Sequence, residues 1–353
     1  MKHPKIDISI QKRVNPFAFP ATTSRNTLLE KTSWYITLGL EGNTGIGEVS
    51  PIPGLSLETE AEVEAALQRE EWLVEAAEEA LAAGKTSVIS QRMSRYPSSV
   101  VFGLECAVLN LMAKKPWLLF PSAFTRGSAS MAINGLVWMG PIEKMTADAD
   151  TLLAKGFRCI KIKIGHLAWA EEFGLLQQLR ARFPAAVLEI RVDANGAYDI
   201  ATVGSILAQL QKLEIHSIEQ PIAAGNALAI KKLISNSPIP IALDEELLGL
   251  RALEDRILYL KTIKPHYLVL KPTLIGGLET TRQWIAACKA TGTKWWLTSS
   301  LETAVGLNAL AQFVFPYKNL MPQGLSTGTI FLEIMESPIY LDGAELRMNP
   351  IGK

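Results

Sequence analysis

CIKIKIG (159–165) alternates lysine with isoleucine. Side chains in a strand alternate between faces, so Lys161 and Lys163 share one face while Ile160, Ile162 and Ile164 share the other. Alone, the pattern fits a solvated edge strand with basic residues. Its neighbours change that reading. LEIRVDANG (188–196), HSIEQPI (216–222), IPIALDEE (239–246), HYLVLKP (266–272) and KWWLTSS (294–300) follow it, and SMAINGLVW (130–138) precedes it. Helix-like stretches separate these runs near 141–155, 168–182, 200–212, 225–235, 250–261, 277–291 and 303–313. Alternation of this kind predicts parallel βαβ units. GLSTG (324–328) is placed to stand in for an eighth strand, so the expectation is a closed α/β barrel with both lysines inside.

The remainder reads as a smaller α+β unit. Residues 4–14 and 26–40 are strand-like, and GNTGIGEVSPIPG (42–54) is rich in glycine and proline and reads as turn plus loop. Residues 58–83 read as one helix and 98–114 as a second, more buried one. Residues 329–348 look like strands returning towards the first unit. The length of 353 residues suits two domains, since a barrel alone takes about 250. The division expected is 1–125, completed by 329–353, and a barrel over 126–328.

Lys+Arg and Asp+Glu both number 35, so no charge excess points to nucleic acid or a membrane surface. Cys106, Cys159 and Cys288 are far apart and odd in number, which argues against a disulfide framework and for a reducing compartment. The N-terminal residues lack the apolar core of a signal peptide, and the expected location is the cytoplasm. Self-association is left open.

Catalytic groups of a βα barrel stand at the C-terminal ends of its strands. Lys163, Asp193, Glu219, Asp244 and Lys271 each end a strand, at successive spacings of 30, 26, 25 and 27 residues, about one βα unit. Asp193, Glu219 and Asp244 on consecutive strands would repel one another in a water-poor site, and a divalent cation resolves this. Oxygen ligands without histidine or cysteine favour Mg²⁺ or Mn²⁺. Each acid alone could be an ordinary surface or helix-capping residue; the set carries the argument. Two ammonium groups side by side lower each other's proton affinity, which makes a lysine a base near neutral pH. The chemistry expected is removal of a proton next to a carboxylate.

Five motifs in order, K-I-K (161–163), D-A-N (193–195), I-E-Q-P (218–221), L-D-E (243–245) and L-K-P (270–272), resemble the muconate-lactonizing subgroup of the enolase superfamily. The resemblance implies a modified (β/α)7β TIM-type barrel with an α+β capping domain. GIGEVSPIPGLSLET (45–59), SSLET (299–303) with Gly306, and GLSTG resemble the o-succinylbenzoate synthases in particular. These are hydro-lyases of menaquinone biosynthesis that dehydrate 2-succinyl-6-hydroxy-2,4-cyclohexadiene-1-carboxylate to 2-succinylbenzoate. By that resemblance Lys163 takes the ring proton, Lys271 steadies the intermediate, and Lys161 tunes Lys163. Asn195 and Glu245 stand behind the ligands. Ser299, Ser300 and Arg25, the last in a loop FPATTSRN (19–26), are expected to meet the small-molecule carboxylate substrate. GLSTG carries no acid to hold a substrate ammonium, which counts against dipeptide substrates. The alternatives are an N-acylamino-acid racemase or muconate-type cycloisomerase, a Schiff-base aldolase using Lys271, and a non-catalytic protein with a structural cation.

Overall fold

The computed structural model describes residues 6–23, 26–327, 330–333 and 335–351. The first unit opens with an antiparallel sheet of β1 (Asp7–Thr22), β2 (Thr27–Leu40) and β3 (Asn43–Val49). Four helices follow: α1 (Glu60–Leu67), α2 (Glu70–Ala83), α3 (Ser87–Arg92) and α4 (Ser98–Ala113).

Two expectations fail here. The stretch 42–54 is not all turn and loop, because β3 occupies most of its first half. Its glycines serve packing as well as turning. A Cβ on Gly47 would lie 1.8 Å from the carbonyl oxygen of Gly103 in α4, and one on Gly45 would lie 2.1 Å from that of Ala107. The strand therefore tolerates glycine because the buried helix α4 lies directly against it. Residues 58–83 form two helices, not one. Thr59 and Glu62 close a capping box at the start of α1, and the chain breaks at Gln68 and Arg69 before α2.

The second unit begins with β4 (Met131–Ala132) and β5 (Gly135–Val137). It continues through α5 (Ile142–Ala154), β6 (Cys159–Lys163), α6 (Trp169–Arg182), β7 (Glu189–Asp193), α7 (Val203–Lys212), β8 (Ser217–Glu219) and α8 (Ala227–Asn236). Next come β9 (Ile241–Leu243), α9 (Leu253–Ile263), β10 (Tyr267–Leu270), α10 (Pro272–Ile275), α11 (Gly277–Thr291), β11 (Lys294–Leu297) and α12 (Ala304–Val314). Strands β5 to β11 form one parallel sheet in sequence order. Every strand and helix expected between 130 and 313 is present.

The circle closes through Gln323 and Gly324. Gln323 bridges Ile133 and Gly324 bridges Thr298, both in parallel. The amide of Gly324 donates to Leu297 O at 2.8 Å, and that of Asn134 donates to Gln323 O at 2.9 Å. Only the part of GLSTG up to Thr327 is described. Isoleucines 160, 162 and 164 are fully buried between sheet and helices, as their alternation requires.

The last strands, β12 (Ile339–Asp342) and β13 (Glu345–Met348), pair with each other, and β13 pairs with β4 at the start of the barrel. The return to the first sheet is made just before them. Ala18 N donates to Ile330 O at 2.7 Å, and Leu332 N donates to Pro16 O at 2.9 Å.

Candidate active site

Register brings the strand-end residues together. Lys163 of β6 pairs with Asp193 of β7, and Asp193 pairs with Glu219 of β8. Asp244 and Lys271 directly follow β9 and β10. In an eight-membered ring, β6 and β10 stand on opposite sides, so Lys163 and Lys271 face each other across the mouth. Both line one cavity, with Lys161 and Asn195 beside them. The first unit roofs it with Ala21 and Leu28 of the β1–β2 hairpin and with Ile52 and Leu55. No carboxylate lines this cavity among the described residues.

The charged groups are almost entirely withdrawn from solvent: Asp193 is 0% exposed, Glu219 and Asp244 2%, and the three lysines 6–7%. Lys161 Nζ bonds both oxygens of Glu219 at 2.7 Å and lies 2.8 Å from Asp193 Oδ2. Lys163 Nζ bonds Asp193 Oδ2 at 2.8 Å and Asn195 Oδ1 at 2.7 Å. Lys271 bonds Asp244.

These contacts split the lysines. Burial, aided by the neighbouring ammonium groups of Lys161 and Lys271, pulls Lys163 below the ordinary lysine range, against the attraction of Asp193. For Lys161 and Lys271 burial acts in the same direction but is outweighed: Asp193 and Glu219 hold Lys161 up, and Asp244 leads the groups that hold Lys271 up. The expectation of mutual depression therefore holds for Lys163 and fails for Lys161, which carries two carboxylates of its own. Asp193 is held well below the carboxylate range by the lysines despite its burial. Burial and the Asp193 charge push Glu219 up to about 8.

Burial raises the proton affinity of both Glu219 and Asp244, and a neighbouring carboxylate adds to it in each case. That fits a further cation held by Asp193, Glu219 and Asp244. Among the described residues no three such side chains stand already converged on a point, because each carboxylate is turned to a lysine.

Asn195 and Glu245 are joined to each other. Asn195 Nδ2 donates to Glu245 Oε1 at 3.1 Å, and Asn195 N donates to Asp193 Oδ1 at 3.0 Å. Asn195 takes a left-handed backbone conformation, φ 45°, which asparagine tolerates better than most residues. Ser299 lines the cavity and bonds Thr327. Ser300 does not reach the cavity: its hydroxyl is buried without a hydrogen-bond partner and its carbonyl accepts from Lys31. Arg25 lies outside the described residues.

The sequence reading missed a buried polar layer behind Ser299. Lys31, Ser33 and Tyr35 share one face of β2 and are buried, as is Glu48 of β3. Glu48 accepts from Thr303 N at 3.0 Å, Thr303 Oγ1 at 2.7 Å and Gly306 N at 2.9 Å, and so caps α12 from another unit. Neither serine of SSLET caps that helix. The same-face polar residues of β2 are the signal that was available.

Residues 144–344 match the model described as "Enolase C-terminal domain-like", and residues 16–111 match "MenC, N-terminal domain". The o-succinylbenzoate synthase of Desulfotalea psychrophila is 37% identical over 97% of this chain and 98% of its own. The chain belongs to the o-succinylbenzoate synthase family of the enolase superfamily. The crystal structure of MenC from the same organism superposes with a TM-score of 0.86 at 35% identity, covering 98% of this chain and 100% of that one. The L-Ala-D/L-Glu epimerase of Bacillus subtilis, in a substrate-liganded complex, gives 0.83 at 20% identity over 98% and 96%. A dipeptide epimerase from Methylococcus capsulatus, complexed with Mg and the dipeptide L-Arg-D-Lys, gives 0.81 at 22% over 98% of each chain. The two epimerases share the fold. Enolase-superfamily sites use Mg²⁺ with a lysine or histidine base.

Proposed function

We propose that this chain is a hydro-lyase that converts 2-succinyl-6-hydroxy-2,4-cyclohexadiene-1-carboxylate to 2-succinylbenzoate, in the cytoplasm, for menaquinone synthesis. The barrel over 126–328 does the chemistry, and residues 1–125 with 329–353 cap it. The observation that carries the reading is the pair Lys163 and Lys271, which line one cavity from opposite strands with proton affinities displaced in opposite directions. Groups pushed apart in this way take separate roles. Lys163, the more easily deprotonated, takes the ring proton next to the carboxylate. It then returns that proton to the departing hydroxide, which leaves as water, and the ring becomes aromatic. Lys271 stays charged and steadies the negative charge that grows between the two steps.

Asp193, Glu219 and Asp244 would hold Mg²⁺ or Mn²⁺. When bound, the cation offsets the charge of the substrate carboxylate and acidifies the adjacent proton. Asn195 and Glu245 orient Asp193 and Lys163 from behind. Three lysines and, among the described residues, no carboxylate on the cavity wall suit a substrate with more than one carboxylate and offer nothing to a substrate ammonium.

The test is incubation of the full chain and Mg²⁺ with the cyclohexadiene substrate, followed by ultraviolet absorbance. Aromatisation that stops with chelator and returns with Mg²⁺ is expected. Absence of aromatisation, with racemisation of N-acylamino acids or cycloisomerisation instead, would overturn the assignment. The same lysine pair could serve those reactions.

A further inference from the structure

Lys31 sits on β2 of the capping unit with 1% of its surface exposed, and the catalytic steps above make no use of it. Its ammonium donates to the carbonyl oxygens of Ser300 and, at 3.1 Å, of Leu301. Those carbonyls belong to the turn after β11 whose other side lines the catalytic cavity through Ser299 and Leu301.

The turn is not a relaxed one. Leu301 adopts φ 59°, in the left-handed region where a leucine is strained. Such a conformation persists only where its surroundings hold it. Lys31 draws two carbonyls to the back, Glu302 accepts from Ser300 N at 2.6 Å, and Glu48 holds Thr303. Leu301 N then reaches Ser299 Oγ at 3.3 Å, which fixes the serine at the cavity edge.

This arrangement has an electrostatic result. Main-chain carbonyl oxygens facing the cavity would repel an anion. With those of residues 300 and 301 held behind the turn, the cavity side presents the Ser299 hydroxyl instead. We infer that Lys31 is a positioning residue for the carboxylate at the end of the substrate's tail: it holds the 299–301 turn with its carbonyls away from the cavity, so the capping sheet sets the preference for an anionic tail. This rests on the proposed function, and on Ser299 as a contact of that tail. The proton-transfer residues lie on β6 to β10 and share no hydrogen bond with Lys31, so the effect falls on binding.

The test compares wild type with Lys31→Met in the full chain with Mg²⁺, on two substrates: the cyclohexadiene acid and its analogue with the tail carboxylate converted to the neutral primary amide. For Lys31→Met, KM for the acid should rise by about tenfold, kcat should stay within about threefold, and KM for the amide should barely move. A fall in kcat at unchanged KM, or an equal rise in KM for both substrates, would overturn the inference and leave Lys31 a merely structural residue. If Lys31→Met does not fold, Lys31→Arg carries the same test. The ratio of KM for acid to KM for amide should rise by at least about twofold, and an unchanged ratio is the adverse result. Wild-type turnover separates the two levels: without it the proposed function falls, whereas turnover with the wrong KM pattern sinks only the role of Lys31.

Discussion

Replacing Lys163 with alanine separates a catalytic base from a structural lysine. The ammonium makes two hydrogen bonds, to Asp193 and to Asn195. Asp193 keeps Lys161 at 2.8 Å after the change, so its charge stays compensated. Asn195 keeps its bond to Glu245. The removed side chain borders the cavity, not the dry core, so the space it leaves is open to water. The expected loss of stability is therefore about 1–2 kcal/mol, within the range of ordinary substitutions. The rate should respond very differently. A positioned general base contributes about 10²–10⁴-fold, and in the proposed reaction this lysine serves twice, as base and then as acid. A fall of about 10³-fold or more in kcat is expected, which corresponds to about 4 kcal/mol of transition-state stabilisation. The assay is absorbance on aromatisation, with circular dichroism and thermal unfolding as controls, and a folded variant keeping more than about a tenth of wild-type turnover would refute the reasoning.

Lys271→Met should lower kcat by at least about 10²-fold while KM changes little, because its proposed role is toward charge that exists only during reaction; steady-state kinetics showing the reverse split would place it in substrate binding. Gly47→Ala should destabilise the chain by about 3 kcal/mol or more, since its Cβ would meet the Gly103 carbonyl at 1.8 Å and backbone must move; an unchanged midpoint in urea would show that β3 and α4 are not so close. Glu105→Gln tests a pH effect. Burial pushes the Glu105 carboxyl up to about 8, against the amide of Leu278 it caps, whereas an unfolded glutamate titrates near about 4.3. The folded chain thus keeps a proton that the unfolded chain loses over that interval, so the stabilisation is complete below the lower value and gone above about 8. Glutamine does not titrate, so the melting temperature of the variant relative to wild type should climb from pH 5 to pH 8.5, and a flat difference would reject the assignment.

The barrel was legible because its period is written twice. Apolar runs recur at βα-unit spacing, and a polar residue marks each strand end. Lys163, Asp193, Glu219, Asp244 and Lys271 therefore come to one rim, as their spacing implies. The first unit was read less well because its signals have two physical causes. Glycine supplies positive φ in turns, but at Gly45 and Gly47 it supplies the missing Cβ that lets α4 approach. No local pattern tells these uses apart; only the partner helix does. Lys31 and Glu48 are easily misread for a related reason. A polar face on a strand ordinarily means solvent, as the alternation rule assumes. Here the face meets the barrel, and its partners, Ser300, Leu301 and Thr303, are 255 to 270 residues away in the chain. Residues that do chemistry at strand ends are set by the repeat of the fold, whereas residues that hold the pocket wall are set by where two units touch. Only the first kind leaves a period in the sequence.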